Sequence, residues 1–350
     1  MLADRIEAPW IEAFEAVLRR CGAGPGLPVC LLGESQSRAL NLDLAELAAL
    51  RLGCRPFRCI LPTQPSAAPV PVRSTGASRA IGGHPAVMAA LAAAPLTLDL
   101  TVEGLLHAPE LPAILKAGSR VMMVSNEHPE VLARLVPRAE DEAPVKAAVK
   151  RARAARRMHV TSAAGTDLHV AMEGAAVAGV WGWTDRPGTV AHWPGGILVA
   201  FPRAGSVAGK LVLDAGDVNL TFKRYLERPI RLTLADDHIT AIEGEGADAE
   251  LMRRTLAAFS EHEGGGRAAY AVSHVGWGLN PRARYEALAY YDRRDVNGTE
   301  LRAFAGNFLF STGANEFAGR FTEGHFDIPV RNCTIALDGE KVVEEGRLLP

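Results

Sequence analysis

Residues 29–61 read VCLLGESQSRALNLDLAELAALRLGCRPFRCIL. The opening run, Val29 to Leu32, is short and wholly apolar, as a buried strand is. Asn41 to Leu52 then sets Leu42, Leu44, Leu47 and Leu50 among its apolar positions and reads as a helix. Phe57 to Leu61 reads as the next strand. A strand, a helix and a second strand within so few residues is the unit from which parallel sheets are built.

The same alternation extends on both sides. Residues 4–20 carry Ile6, Trp10, Phe14, Val17 and Leu18 at helical spacing, and Gly22, Gly24 and Gly26 end that helix. Leu96 to Leu100 and Val121 to Val124 repeat the strand signature, with a helix from Leu111 to Ala117 between them. Residues 1–155 are therefore expected to form an α/β domain with a largely parallel sheet. Glu140 to Arg157 is rich in Ala, Lys, Arg and Glu and reads as a solvated linking helix, the alternative being a plain surface helix inside one domain. Beyond it, Met158 to Ala163, Asp167 to Met172, Ile197 to Phe201, Lys210 to Leu213 and Ile230 to Leu234 are short β-rich runs. Ala249 to Ser260 reads as a helix. Residues 156–350 are expected to be an α+β domain with a curved or barrel-like sheet.

Composition narrows the function. The chain has 350 residues, 48% hydrophobic and 22% charged, with a formal net charge of −2. No basic surface is offered to nucleic acid. The five cysteines are odd in number and contain no CxxC pair, which fits a reducing cytosol better than a disulfide framework. The N-terminus carries charges where a signal peptide needs an apolar run. No stretch of about twenty apolar residues could span a bilayer. A soluble cytoplasmic protein is expected, with no membrane partner.

The sharpest local pattern is His325-Phe326-Asp327. Residues i and i+2 of a strand share a face, so this imidazole and carboxylate can grip one ion from one side. With a third ligand they would make a 2-His-1-carboxylate set that leaves positions open for other ligands. His274 is the candidate, in Ser273-His274-Val275-Gly276-Trp277-Gly278, where glycines allow close backbone approach. A core histidine satisfied by a hydrogen bond is the alternative. His107, His169 and His192 fall in loop-like contexts and could shuttle protons or merely cap and solvate. Ser311 ends an apolar run and could orient a ligand oxygen or cap a turn. No G-x-S-x-G elbow, G-x-G-x-x-G, P-loop or HExxH is present, so serine hydrolysis and nucleotide cofactors are not indicated.

Taken in order, these runs resemble the 2,5-dihydroxypyridine 5,6-dioxygenase family of nicotinate degradation. The resemblance is carried by His274 to Pro281, by Gly306-Asn307-Phe308-Leu309-Phe310-Ser311-Thr312-Gly313, and by His325-Phe326-Asp327-Ile328-Pro329. Leu105-Leu106-His107, His159-Val160, Thr166-Asp167-Leu168-His169, His192-Trp193-Pro194-Gly195-Gly196, Leu213-Asp214-Ala215-Gly216-Asp217 and Arg331-Asn332-Cys333 add to it. It implies a fold similar to thermophilic-type (aminopeptidase-T-like) metallo-aminopeptidases, whose pattern keeps a Glu at the positions of His274 and Ile197. Exchanging those two carboxylates for imidazole and an aliphatic chain removes the charge a second divalent ion would need. The resemblance thus implies a single Fe(II) on His274, His325 and Asp327. It implies His107, His169, His192 and Ser311 as substrate and proton-handling residues. It further implies ring opening of a small hydroxylated aromatic by O2, with N-formylmaleamate formed from 2,5-dihydroxypyridine, and a homo-oligomeric assembly. Val180 stands where the family has an acidic residue, which leaves the ring substrate open. A metallo-aminopeptidase with altered ligands and a non-catalytic small-molecule-binding relative are the rival readings.

Overall fold

The computed structural model describes residues 3–65, 77–124 and 126–350. Pro28–Glu34 and Arg55–Leu61 are strands on either side of the helix Ala39–Arg51, and all lie within two residues of the expected bounds. They join Leu96–Asp99, Arg120–Val124 and Val190–Trp193 in a five-stranded parallel sheet, with Pro28–Glu34 between Arg55–Leu61 and Leu96–Asp99. Alternate side chains of the strand Pro28–Glu34 enter two different cores. Val29 and Leu31 pack with Phe14, Val17 and Leu44 of the helices Ala8–Arg20 and Ala39–Arg51. Cys30 and Leu32 pack with Val87, Leu91 and Ile114 of the helices Pro85–Ala93 and Leu111–Lys116. Both faces of this strand are covered, which is why the run is continuously apolar.

The later strands form two antiparallel sheets. One has eight strands and includes Arg157–Ser162, Asp167–Ala171 and Val207–Leu213. The other runs Phe326–Val330, Phe308–Thr312, Val272–Gly278, Ile197–Phe201, Ala176–Val180 in spatial order. Neither closes on itself among the described residues, so the barrel-like alternative is replaced by two open sheets. They share one core, in which Val160, Leu168 and Leu211 of the first meet Val275, Phe310 and Ile328 of the second. The helix Glu142–Ala154 does not stand apart as a linker. Its Ala148 and Ala152 enter that same core, and Gly179 lies against Val145 and Val149, where a Cβ would come within 2.6 Å of both.

The strand Val190–Trp193 was not expected, because Pro194, Gly195 and Gly196 dominate the local sequence. It pairs in parallel with Arg120–Val124, so the chain returns to the first sheet before starting Ile197–Phe201 in the other. The crossing takes three residues. Gly196 holds φ +96°, and a Cβ on Gly195 would meet the Gly182 nitrogen at 2.2 Å. Only glycine allows this approach.

Buried carboxylates shape the loops at the C-terminal ends of the parallel strands, where open α/β sheets place ligands. Asp99 accepts from the Thr101 hydroxyl at 2.6 Å and the Leu105 amide at 2.6 Å, while Glu34 accepts from the Val102 amide at 2.7 Å. Burial outweighs these donors and pushes the Asp99 carboxyl up to about 6, from an ordinary 3.8. A carboxyl raised on folding adds stability that is complete below its unfolded value and is lost as pH rises through about 6. Between pH ~4 and ~7, Asp99→Asn is therefore expected to gain on the order of 2 kcal/mol relative to wild type. Denaturant unfolding of both proteins at the two pH values checks this; a constant difference would refute the raised value.

All five cysteines are free thiols. Among the described residues no helix is long and apolar enough to cross a membrane.

Candidate metal centre

The sheet that carries His274 turns one face to the shared core and the other to the parallel domain. Val275, Phe310, Phe326 and Ile328 lie in the core. By strand alternation His274, Leu309, Ser311 and Asp327 leave the opposite face. Asp327 lies directly across from Ser311 in register. His325 immediately precedes the strand Phe326–Val330.

Three side chains converge there. His325 Nε2 is 3.2 Å from Asp327 Oδ2, and His274 Nε2 is 3.5 Å from Asp327 Oδ1. One donor atom from each residue lies within 4.8 Å of the others. His274 and Asp327 are buried, and His274 Nδ1 and Asp327 Oδ1 have no hydrogen-bond partner among the described residues. A buried carboxylate oxygen without a donor is costly, and a cation would satisfy it. Burial acts to raise the Asp327 carboxyl, yet Arg302, His325 and His274 together hold it well below the usual carboxylate range. Burial pushes His274 down to about 4, with Asp327 opposing. Near neutral pH the set is thus a neutral imidazole, His325 and a carboxylate. Nitrogen and oxygen donors of this kind suit one divalent transition metal ion, so the residues fit such a group.

The cavity over this cluster is completed from the parallel sheet. His192 comes from Val190–Trp193, and its Nδ1 lies 2.7 Å from the Pro194 carbonyl. A carbonyl only accepts, so Nδ1 carries the proton and donates. Burial pushes His192 down to about 4, despite that carbonyl. The neutral ring keeps a lone pair on Nε2. His107 follows the loop held by Asp99, with its ring centroid 5.5 Å from that of His325. Burial, then His325 and His274, push His107 down to about 3. Ile197, Val199 and Leu309 form an apolar wall. Ile197 offers no carboxylate to a second ion.

Arg302, on the short helix Thr299–Ala303, places Nε 2.7 Å from Asp327 Oδ2 and lines the same cavity. Sequence reading missed it, since nothing marks one arginine in a short polar helix. Thr299 and Asn297 also line the cavity and were missed.

Two expected residues are placed differently. Ser311 leaves the face that carries Asp327, but its hydroxyl contacts the Thr312 carbonyl at 3.4 Å and it is not part of the cavity wall. His169 is not brought to the cavity at all. It sits in the strand Asp167–Ala171 on the solvent face of the eight-stranded sheet, beside His159 and Asp167. Val180 packs against the core of the parallel domain rather than lining the cavity.

Comparisons with known proteins identify the family. The family model for 2,5-dihydroxypyridine 5,6-dioxygenase matches residues 9–350. A 2,5-dihydroxypyridine 5,6-dioxygenase of Pseudomonas putida is 39% identical over 339 residues, covering 96% of this chain and 94% of its own. A solved structure of 2,5-dihydroxypyridine dioxygenase from Pseudomonas putida KT2440 superposes with TM-score 0.91 at 37% identity, covering 100% of this chain and 98% of that one. Wild-type AmpT from Thermus thermophilus shares the fold with TM-score 0.63 at 16% identity, covering 98% of this chain and 99% of its own. The chain belongs to the 2,5-dihydroxypyridine 5,6-dioxygenase family.

Proposed function

We propose that this chain holds one Fe(II) on His274, His325 and Asp327 and opens the ring of 2,5-dihydroxypyridine, or a closely related hydroxylated ring, with O2. N-formylmaleamate is the product from 2,5-dihydroxypyridine. The observation that carries the reading is the convergence of two imidazoles and one carboxylate under a cavity walled by two further neutral histidines, in a member of this family. When bound, ferrous iron supplies open coordination positions and an electron path between an electron-rich ring and dioxygen. The ring provides the electrons, so no further reductant is needed.

The chain's own groups do the rest. His192 accepts a ring hydroxyl proton at Nε2, because its Nδ1 is occupied by the Pro194 carbonyl. Arg302 stands next to Asp327 and favours an anionic ring oxygen nearby. His107 remains neutral beside His325 and can take or return a second proton. The aliphatic wall of Ile197, Val199 and Leu309 keeps water from the reacting face. Two carboxylate ligands of a peptidase-type dimetal site would have to come from elsewhere, and Ile197 supplies none.

Anaerobic loading with Fe(II), followed by oxygen uptake on a panel of hydroxypyridines, tests the proposal. Uptake is expected with 2,5-dihydroxypyridine only in the loaded protein. His192→Ala is expected to keep its iron and lose about 10²- to 10⁴-fold in turnover, as for removal of a general base. Full activity of metal-free protein, or no uptake with any hydroxypyridine after loading, would reject it.

A further inference from the structure

A second cluster of metal-ligating side chains lies outside the cavity. In the eight-stranded sheet, His159 of Arg157–Ser162 stands directly across from His169 of Asp167–Ala171. Asp167 precedes His169 by two residues and so shares its face. Leu168 and Val170 alternate with them into the core, as do Met158 and Val160 on the neighbouring strand. The buried residues pin both strands, and the pinned backbone points three donors outward at one place. His159 Nε2 is 2.8 Å and His169 Nε2 3.3 Å from the same atom, Asp167 Oδ1. The two rings stack at 4.3 Å, 8° from parallel.

We propose that His159, Asp167 and His169 form a second, solvent-facing site for a borderline divalent transition metal ion, of which Zn(II) and Ni(II) are the chemical type. The reasoning is geometric. Zinc bound at about 2.0–2.2 Å holds tetrahedral donors about 3.4 Å apart. One donor atom from each of the three residues already lies within 4.8 Å of the others. Small side-chain rotations would seat an ion with no backbone shift. The flanking register partners are alanines, Ala208 beside His169 and Ala336 beside His159. They leave room for water ligands on the open side. Two imidazoles and one carboxylate give the ion a net donor charge of −1 and a borderline-soft set, which disfavours Ca(II) and Mg(II). The side chains are 43%, 65% and 64% exposed for His159, Asp167 and His169. Exchange with solution is therefore fast and affinity lower than at the buried cluster.

Titration of metal-free, full-length protein with Zn(II) chloride against a chromogenic chelator tests the site. Wild type is expected to bind two equivalents of distinct affinity. The weaker equivalent should vanish in the His159→Ala/His169→Ala double variant, and Asp167→Asn should weaken it about tenfold or more. Asp327→Ala should remove the tighter equivalent and spare the weaker. All three surface changes leave the core untouched, so loss of binding cannot be ascribed to unfolding; circular dichroism checks this. A single equivalent in wild type, or a weaker equivalent that survives the double variant, overturns the proposal.

Discussion

Asp327→Ala is expected to abolish stoichiometric iron binding and ring opening while the protein still folds. The carboxylate is the sole anion of the cluster and contacts both imidazoles and Arg302. Its removal leaves the Arg302 guanidinium and two histidines facing one another around the proposed cation site. Arg302 then repels the incoming ion, so the change does more than delete one bond. Loss of an outer partner of a metal ligand costs about 10- to 100-fold in affinity, and loss of a charged ligand should exceed that. Iron content after anaerobic reconstitution, with oxygen uptake, provides the check. Asp327→Asn separates charge from shape. It keeps one oxygen but presents an amide to Arg302, and it should resemble alanine rather than wild type. Normal iron content in both variants would remove Asp327 from the ligand set.

Glu127→Ala should give the largest loss of stability from a residue that lies outside the metal cluster. Glu127 is buried at 1% exposure just beyond the strand Arg120–Val124. Its carboxylate accepts from the amides of Asn297, Gly298 and Thr299 at 2.6, 2.8 and 3.0 Å. Those amides open the short helix that carries Arg302. Truncation strands three N–H donors, two of them buried, each in a charge-assisted bond, for a cost of about 3 kcal/mol or more. The strands that hold His274 and Asp327 are untouched, so iron should still bind. Turnover should fall because Asn297, Thr299 and Arg302 lose their anchor. Denaturant unfolding, iron analysis and oxygen uptake on one sample separate the two variants. Unchanged stability would show that water replaces the carboxylate without loss.

The centre of the parallel domain was legible because Pro28–Glu34, Leu96–Asp99 and Arg120–Val124 are buried along almost their whole length. Val29 to Leu32 and Asn41 to Leu52 carry that information locally. The strand Val190–Trp193 was hidden because its partner lies some seventy residues earlier, and its own neighbours are Pro and Gly. His325-x-Asp327 gave a shared face, but which face became clear only once Phe326 and Ile328 were seen in the core. Family resemblance supplied His169 as a pocket residue, whereas its alternation was readable in the sequence. Leu168 and Val170 are apolar and bracket it, so His169 and Asp167 had to face away from the core. Arg302 and Glu127 carry no local signal, since their roles arise from contacts across the fold.

The return of Val190–Trp193 to the first sheet sets an order of assembly. Until that strand has been synthesised, Arg120–Val124 has one bare edge of unpaired amides and carbonyls. A fragment ending at residue 155 would keep that edge open and invite pairing between copies. Completing the sheet and delivering His192 are thus one event, and His274, His325 and Asp327, the ligands of the proposed iron site, emerge from the ribosome only after it.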